Sequence, residues 1–492
     1  MVRVPLLIVL AVVCWHGLRP VQGAEQSLGG DDGDIESRLE ALQEEKELMR
    51  LFADTLEQVK SKYIESEVSD RALIEAAIRG MVSTLDPHSS YIPSGELSEF
   101  RKGLEREFVG IGIQVAVRDG HLQITSPLFD TPAWRAGLRA GDRILKIDGT
   151  STRELSIDEA VKLLMGGEVG TKVSVTVLHP SEQNTETVTL RRERIEQPTV
   201  IGYRRNAKGV WNYECDEQYH IGYVRIIAFS GNTARDLRET LQKLLEQDMQ
   251  GLVLDLRFNP GGMLKEAVEV SDMFLPAGRI VSIEGRAETH RAWDATAEGT
   301  VVPPGFPLAI LVNRFSASAA EIVAACLQDH ELATLVGERT WGKGSVQNVV
   351  VLEGGNSALK LTTAGYHRPN GENIHREVNA SEDDEWGVHP DEGFEVELNH
   401  RDMADVGRLF TERDELTQPG DERSTSGSPS NLDTAAGTAD EPANDEKTND
   451  EAANDEAAND EAVDKRELVD RQLKVAIEAV RAQLGSRSSK GE

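Results

Sequence analysis

Two serines stand two residues apart in "NRFSASAAEIVAA" (Asn313–Ala325), at Ser316 and Ser318, just ahead of an alanine-rich helical run. A lysine, Lys343, lies between Gly342 and Gly344 in "TWGKGSVQN" (Thr340–Asn348). A serine hydroxyl becomes a useful nucleophile only when a base takes its proton. His330 falls at the far end of the helix that Ser318 opens, so no histidine has an obvious claim to that role. A lysine that is desolvated can lose its proton near neutral pH and serve instead. Gln347, four residues beyond Lys343, carries an amide that can orient the amine. Acyl transfer also needs donors for the developing oxyanion. The turn "NPGG" offers the amides of Gly261 and Gly262, and the residue after Ser318 offers that of Ala319. Taken singly, each piece has a plainer meaning: a serine at a helix start is usually a cap, and glycine-flanked lysines and "NPGG" are usually turns.

The elements that must hold these groups read as a layered α/β core. "HIGYVRIIAF", "GLVLDLRF" and "PLAILVN" are apolar runs suited to buried strands. "TARDLRETLQKLLEQ", "MLKEAVEVSDMFL" and "SASAAEIVAACLQDH" alternate with them as helices, and "ATLVGERTWGKGSVQNVVVL" and "ALKLTTAGYHR" follow as strands. Such alternation implies a mainly parallel sheet, with ligands at the strand ends. Residues 105–195 differ. "VGIGIQVAVRDGHLQITSPL" reads as a hairpin turning at Asp119-Gly120, "SIDEAVKLLMGG" as a capped helix, and "KVSVTVLHP" and "ETVTLRRERI" as two more strands. Residues 35–84 read as helices that stop at "DPHSSYIP", within an N-terminal helical region taken as 35–104.

The chain has 492 residues, room for several domains, and a formal net charge of −32. That balance argues against nucleic acid as a partner. Asp440–Asp464 holds eleven acids and one lysine. Its repeat of Asn-Asp-Glu lacks apolar bulk, so residues 414–465 are expected to be a disordered linker. Residues 466–485 then form an amphipathic helix expected to fold back on the body. At the other end, Arg3, an apolar run from Val4 to Trp15 and small residues near Gly23 have the pattern of a signal peptide over residues 1–23. An exported, periplasmic or otherwise extracytoplasmic protein is expected, with a membrane-surface association if the leader stays attached. Cys215 and Cys326 can pair in an oxidising compartment, though Cys326 reads as a buried thiol. No cysteine or histidine spacing suits zinc.

In combination the motifs resemble the carboxy-terminal processing proteases, also called tail-specific proteases. The likeness is carried in order by "LDPHSSYI", "GIGI" in a PDZ-like module, "LDLRFNPGG", "NRFSASAAEI" and "GERTWGKGSVQ", with "GYHRPNGENIH" and "GVHPD" beyond. It spans roughly residues 40–400 and the last helix. The resemblance implies that Ser318, not Ser316, is the nucleophile, that Lys343 is the base and that Gln347 assists it. It implies a multidomain α/β protein: a helical N-terminal region, a PDZ-like domain at 105–195 and a crotonase- or ClpP-like layered protease core at 196–413. Ala320 departs from the family, which usually has a further serine there, and the acidic repeat looks like an insertion.

The implied activity is that of a serine endopeptidase cleaving proteins near their C-termini, with no metal and no cofactor. PDZ domains add a peptide as an extra strand and hold its carboxylate on a glycine loop. Here that loop is Val109, Gly110, Ile111, Gly112 and Ile113, with the helix Asp158–Met165 as the facing wall. Partners are then proteins with accessible C-terminal tails, and a homodimer can form through the N-terminal helices. Two other readings compete: a PDZ scaffold with a dead catalytic core, and a crotonase-like acyl-CoA enzyme sharing the layered core.

Overall fold

A computed structural model describes residues 32–414 and 469–488, apart from 66, 106, 119, 180–183, 207–209, 287–289, 378 and 382. The expected leader and almost all of the acidic linker lie outside the described residues, as does Asp119. The chain divides into two compact units, Met1–Ile78 and Arg79–Glu492. In the first, α1 (Asp32–Lys62) leads to the start of α2 (Asp70–Ser83), and Lys60 pairs with Asp70 at 2.8 Å. Leu48, Leu51 and Phe52 of α1 stand exposed.

In the second unit "DPHSSYIP" is more than a helix stop. It contains the short strand β1 (Ser90–Ile92), before α3 (Leu97–Glu105). The β-rich module follows with β2 (Glu107–Gly110), β3 (Ile113–Arg118), β4 (His121–Pro127), α4 (Pro132–Arg135), β5 (Arg143–Ile147), α5 (Ile157–Met165), β6 (Lys172–His179), β7 (Asn184–Arg191) and β8 (Glu193–Glu196). The expected single strand "ETVTLRRERI" is broken in two at Arg192. That buried side chain turns inward, its guanidinium donating to the carbonyls of Leu163, Leu164 and Lys172. The module has its own core of Ile124, Ile144, Ile147, Leu164, Val173, Val175 and neighbours. Helix α5 starts in a capping box of Ser156 and Glu159.

The core begins with β9 (Ile221–Ile226), α6 (Thr233–Glu246), β10 (Gly251–Asp255) and α7 (Leu264–Asp272). After the hairpin β11 (Gly278–Gly285) and β12 (Arg291–Ala295) come β13 (Leu308–Val312), α8 (Ala319–Asp329) and β14 (Thr334–Gly337). Strands β9, β10, β13 and β14 pair in that order, all parallel, as the alternating pattern requires. Their unbroken apolar runs serve two faces at once. Val224, Leu252, Leu254 and Ile310 pack under α6, α7 and α8, whereas Tyr223, Val253, Ala309 and Leu311 pack on the opposite side.

A second sheet, wholly antiparallel, was not legible as such. Strands β15 (Ser345–Leu352) and β16 (Ser357–His367) form a long hairpin, and β16 also pairs with β1 and β11. The N-terminal "SYI" is thereby stitched to the same strand that backs Lys343.

Helix α9 (His400–Asp414) is followed, beyond the undescribed segment, by α10 (Arg471–Ser488). The return of this last helix to the body is borne out. Leu473, Ala476 and Val480 close the second face of the parallel sheet. Gly251 leaves room for it: a Cβ there would lie 2.3 Å from the Val480 side chain. At its entrance Asp470 takes a two-pronged contact from the fully buried guanidinium of Arg257, at 2.8 and 2.9 Å, and Arg257 also pairs with Asp255. Arg413, one residue before the end of α9, approaches the same carboxylate at 3.9 Å.

Candidate active site

The loop between β13 and α8 separates the two serines by environment. Ser316 is fully buried; its hydroxyl donates to the Leu256 carbonyl at 2.8 Å and accepts the Asn313 amide at 3.0 Å. It fastens the loop to the end of β10. Ser318 is half-buried and sits at a φ of +55°, in the left-handed region that ordinary residues avoid. Such a conformation costs about 1–3 kcal/mol and persists only where its surroundings enforce it.

The enforcing group is Glu321, one turn into α8 and fully buried. Its carboxylate accepts the Ser318 amide at 2.7 Å, the Lys343 amide at 2.9 Å, the Gly342 amide at 2.7 Å and the Thr340 hydroxyl. One side chain therefore ties the backbone of the serine to that of the lysine. Burial pushes the Glu321 carboxyl above its ordinary value, against the hydrogen bonds from Thr340, Gly342, Lys343 and Ser318. Sequence reasoning passed over Glu321. Its signal was the Ser-x-x-Glu spacing of a capping box, which reads as helix chemistry and not as a bridge between loops.

Lys343 is held by its neighbours' lack of side chains. A Cβ on Gly342 would lie 2.9 Å from the Trp386 ring, and one on Gly344 only 2.7 Å from the His375 amide nitrogen. The ring of Trp386 is in turn faced by the guanidinium groups of Arg339 and Arg376, at 3.6 and 4.2 Å from its centroid. Among the described residues the Lys343 ammonium has no ion-pair partner. Burial lowers its pKa, the positive charge of Lys360 on β16 lowers it further, and only Glu321 opposes them.

Gln347 is not placed as expected. Its amide nitrogen donates to Ser345 Oγ at 3.0 Å and to Thr362 Oγ1 at 3.2 Å, and not to the Lys343 amine. Thr362 in turn donates to Asp86 at 3.1 Å, and Asp86 also accepts from the Ser89 hydroxyl at 2.6 Å and the His88 amide at 2.7 Å. Burial favours the neutral acid, but these bonds outweigh it and hold the Asp86 pKa below its ordinary value. The "DPHS" turn thus belongs to the surroundings of the site. The His88 pKa is lowered, first by burial and then by the charge of Lys343.

Of the three amides expected to serve as oxyanion donors, one is engaged elsewhere. Gly261 is already spent: its amide donates to Asn259 Oδ1 at 2.8 Å. Its contribution is closeness, since at φ +97° a Cβ would lie 2.7 Å from Ser318 Cβ and 2.9 Å from the Ala319 nitrogen. The amides of Gly262 and Ala319 have no acceptor among the described residues, so these two remain of the three.

In the β-rich module the carbonyls of the glycine loop are turned inward. Ala133 donates to Ile111 at 2.9 Å, and Leu128 and Thr131 donate to Gly112 at 2.9 and 3.1 Å. The amides of Ile111 and Gly112 have no acceptor among the described residues. Gly112 must be glycine, because at φ +77° a Cβ would lie 2.3 Å from Thr131. Ile111 itself is buried in the module's core, and Val109 and Gly110 are not loop but the end of β2, paired with β8. Ile113 opens β3, the edge strand of its sheet, and α5 packs near that edge.

Among the described residues no group of three or more His, Cys, Asp or Glu could hold a metal ion, and no helix is long and apolar enough to cross a membrane. Cys215 and Cys326 are free, and burial pushes each thiol up to about 12.

Comparison with known proteins matches residues 220–393 to peptidase family S41, residues 123–178 to a PDZ domain and residues 7–95 to the N-terminal domain of the activating protease CtpB. A carboxy-terminal-processing protease of Bartonella bacilliformis is 39% identical over 339 residues, 67% of this chain and 73% of that protein. A carboxyl-terminal-processing protease of Synechocystis is 33% identical over 343 residues, 69% of this chain and 75% of that one. Among solved structures, the photosystem II D1 C-terminal processing protease is 30% identical over 70% of this chain and 86% of its own, with a TM-score of 0.39.

Proposed function

The chain belongs to the carboxy-terminal processing proteases, serine-type peptidases that cleave proteins near their C-termini, and from that premise we propose that Ser318 and Lys343 form its catalytic dyad. The observation that carries this reading is Glu321, whose one carboxylate holds the amides of both residues. Neutral Lys343 takes the Ser318 proton as Oγ attacks the scissile carbonyl. The amides of Gly262 and Ala319 receive the oxyanion, and the protonated lysine returns its proton to the leaving amine. Water, deprotonated by the same lysine, then attacks the acyl carbon and releases Ser318. Gln347 acts through the Thr362–Asp86 chain, fixing the strand beside the lysine. We read the layered core as crotonase- or ClpP-like, and residues 414–465 as a disordered linker on composition alone. Residues 1–23 support export to the periplasm or another extracytoplasmic compartment. The exposed apolar residues of α1 suit a homodimer or a membrane-surface contact.

The dyad makes a signed prediction. Activity needs the neutral amine, so kcat/KM rises with pH through the depressed pKa of Lys343. Lys360→Gln removes a positive neighbour that favours the neutral form, so the Lys343 pKa increases and the rising limb moves to higher pH. A limb that stays in place in the pH–rate profile refutes a lysine base in this position.

The PDZ domain captures the substrate's terminal carboxylate on the amides around Ile111 and Gly112, and the open edge of β3 takes the tail as a strand. Peptides with a free C-terminus are therefore cleaved faster than the same peptides ending in a carboxamide, with the difference mainly in KM if the module only captures. Deleting residues 105–195 abolishes that preference. Equal cleavage of free and amidated peptides by the full chain overturns tail capture.

A further inference from the structure

Strand β15 begins two residues after Lys343 and is an edge: among the described residues it pairs only with β16. The side along the strand away from β16 therefore presents unpaired backbone amides and carbonyls. Exposed edges are normally protected by charge or proline. This one reads "SVQNVVVL", with neither. Val349, Val350 and Val351 are 39, 43 and 49% exposed. Successive side chains of a strand point to opposite faces, so apolar surface stands open on both faces of this ribbon. A bulge between Val346 and Gln347 bends only the end nearest the lysine.

The place of this edge identifies its occupant. The Glu321 carboxylate binds the Lys343 and Ser318 amides together, so the unpaired edge runs outward from the proposed reacting centre. We propose that the substrate polypeptide next to the scissile bond binds as an added strand on the free edge of β15. Its backbone completes the ladder, and its apolar side chains lie against Val349, Val350 and Val351. This rests on the dyad reading above. It adds a second strand-addition surface, distinct from the PDZ groove, which aligns the cleaved bond where the PDZ groove holds the tail.

The test uses a cleavable peptide with an amidated C-terminus, so that carboxylate capture at Ile111 and Gly112 contributes equally in every member of the series. Single backbone amides are N-methylated in turn, starting two residues from the scissile bond on either side. An added strand uses alternate amides. On one side of the bond kcat/KM falls about tenfold at every second position, with the intervening positions near the parent. In parallel, Val349→Glu and Val351→Glu raise KM for the unmodified peptide, while the melting temperature and the labelling of Ser318 by a serine-reactive probe stay unchanged. A labelled, active enzyme whose N-methyl series shows no two-residue period overturns the strand proposal and leaves the dyad standing. Absence of labelling at Ser318 in the wild type overturns the dyad instead. If the glutamate variants convert a dimer to a monomer in sedimentation without altering cleavage, the edge serves a second copy of the chain and the proposal is wrong.

Discussion

Ser318→Ala and Lys343→Ala each lower kcat/KM on a cleavable peptide by about 10⁴-fold or more, and the double variant is hardly slower than either alone. A nucleophile without its base, or a base without its nucleophile, leaves only what the binding site and the oxyanion donors supply, so the two losses do not add. Lys343→Arg is equally inactive, because a guanidinium does not give up its proton in a protein. The control is Ser316→Ala. Its hydroxyl bridges Leu256 and Asn313, and removing it costs about 1–3 kcal/mol of stability while the folded fraction keeps its chemistry. Stopped-assay kinetics together with a serine-reactive probe separate the cases. An active Ser318→Ala beside a dead Ser316→Ala would falsify the assignment of the nucleophile.

Asp470→Ala destabilises the protein by about 3–5 kcal/mol, because it strips one partner from a buried ion pair and leaves the Arg257 guanidinium short of charge. The Arg257 side chain has no exposure, and burial alone would disfavour its charge; Asp255 and Asp470 together reverse that and raise its pKa well above normal. Asp255 remains in the variant but is itself shared with the Tyr223 hydroxyl at 2.7 Å. Urea denaturation monitored by tryptophan fluorescence measures the loss, with Asp470→Asn as the milder comparison that keeps acceptor oxygen but not charge. A change below about 1 kcal/mol in Asp470→Ala, on the scale of an exposed pair, sinks the view that α10 is part of the core.

Much of this was legible in local pattern. Val253 and Leu254 sit in an unbroken apolar run, and an unbroken run between helices is what a two-sided parallel strand requires. The closing helix was legible because Leu473, Ala476 and Val480 fall at helical spacing. What escaped depends on distance. Which of Ser316 and Ser318 has its hydroxyl tied to the backbone is decided by Leu256, some sixty residues earlier. Gln347 looked like the lysine's partner from its spacing and from the family resemblance, but a strand carries its amide to Ser345 and Thr362. Gly261 looked like a free donor, yet an asparagine two residues back had already taken its amide. The hairpin β11–β12 has no clean alternation and was unread, and with it the sheet that brings "SYI" to β16.

The Arg413–Asp470 contact bears on what happens if the chain is cut. The acidic segment leaves α9 and re-enters at α10 through residues that lie near one another, so its two ends are already held together by the body of the protein. A nick anywhere within residues 415–468 would then not release the last helix. It would turn one chain into a two-piece protein whose small piece stays seated by Arg257 and the apolar face beneath it. From that moment α10 behaves as a bound ligand, and the stability of the whole depends on concentration.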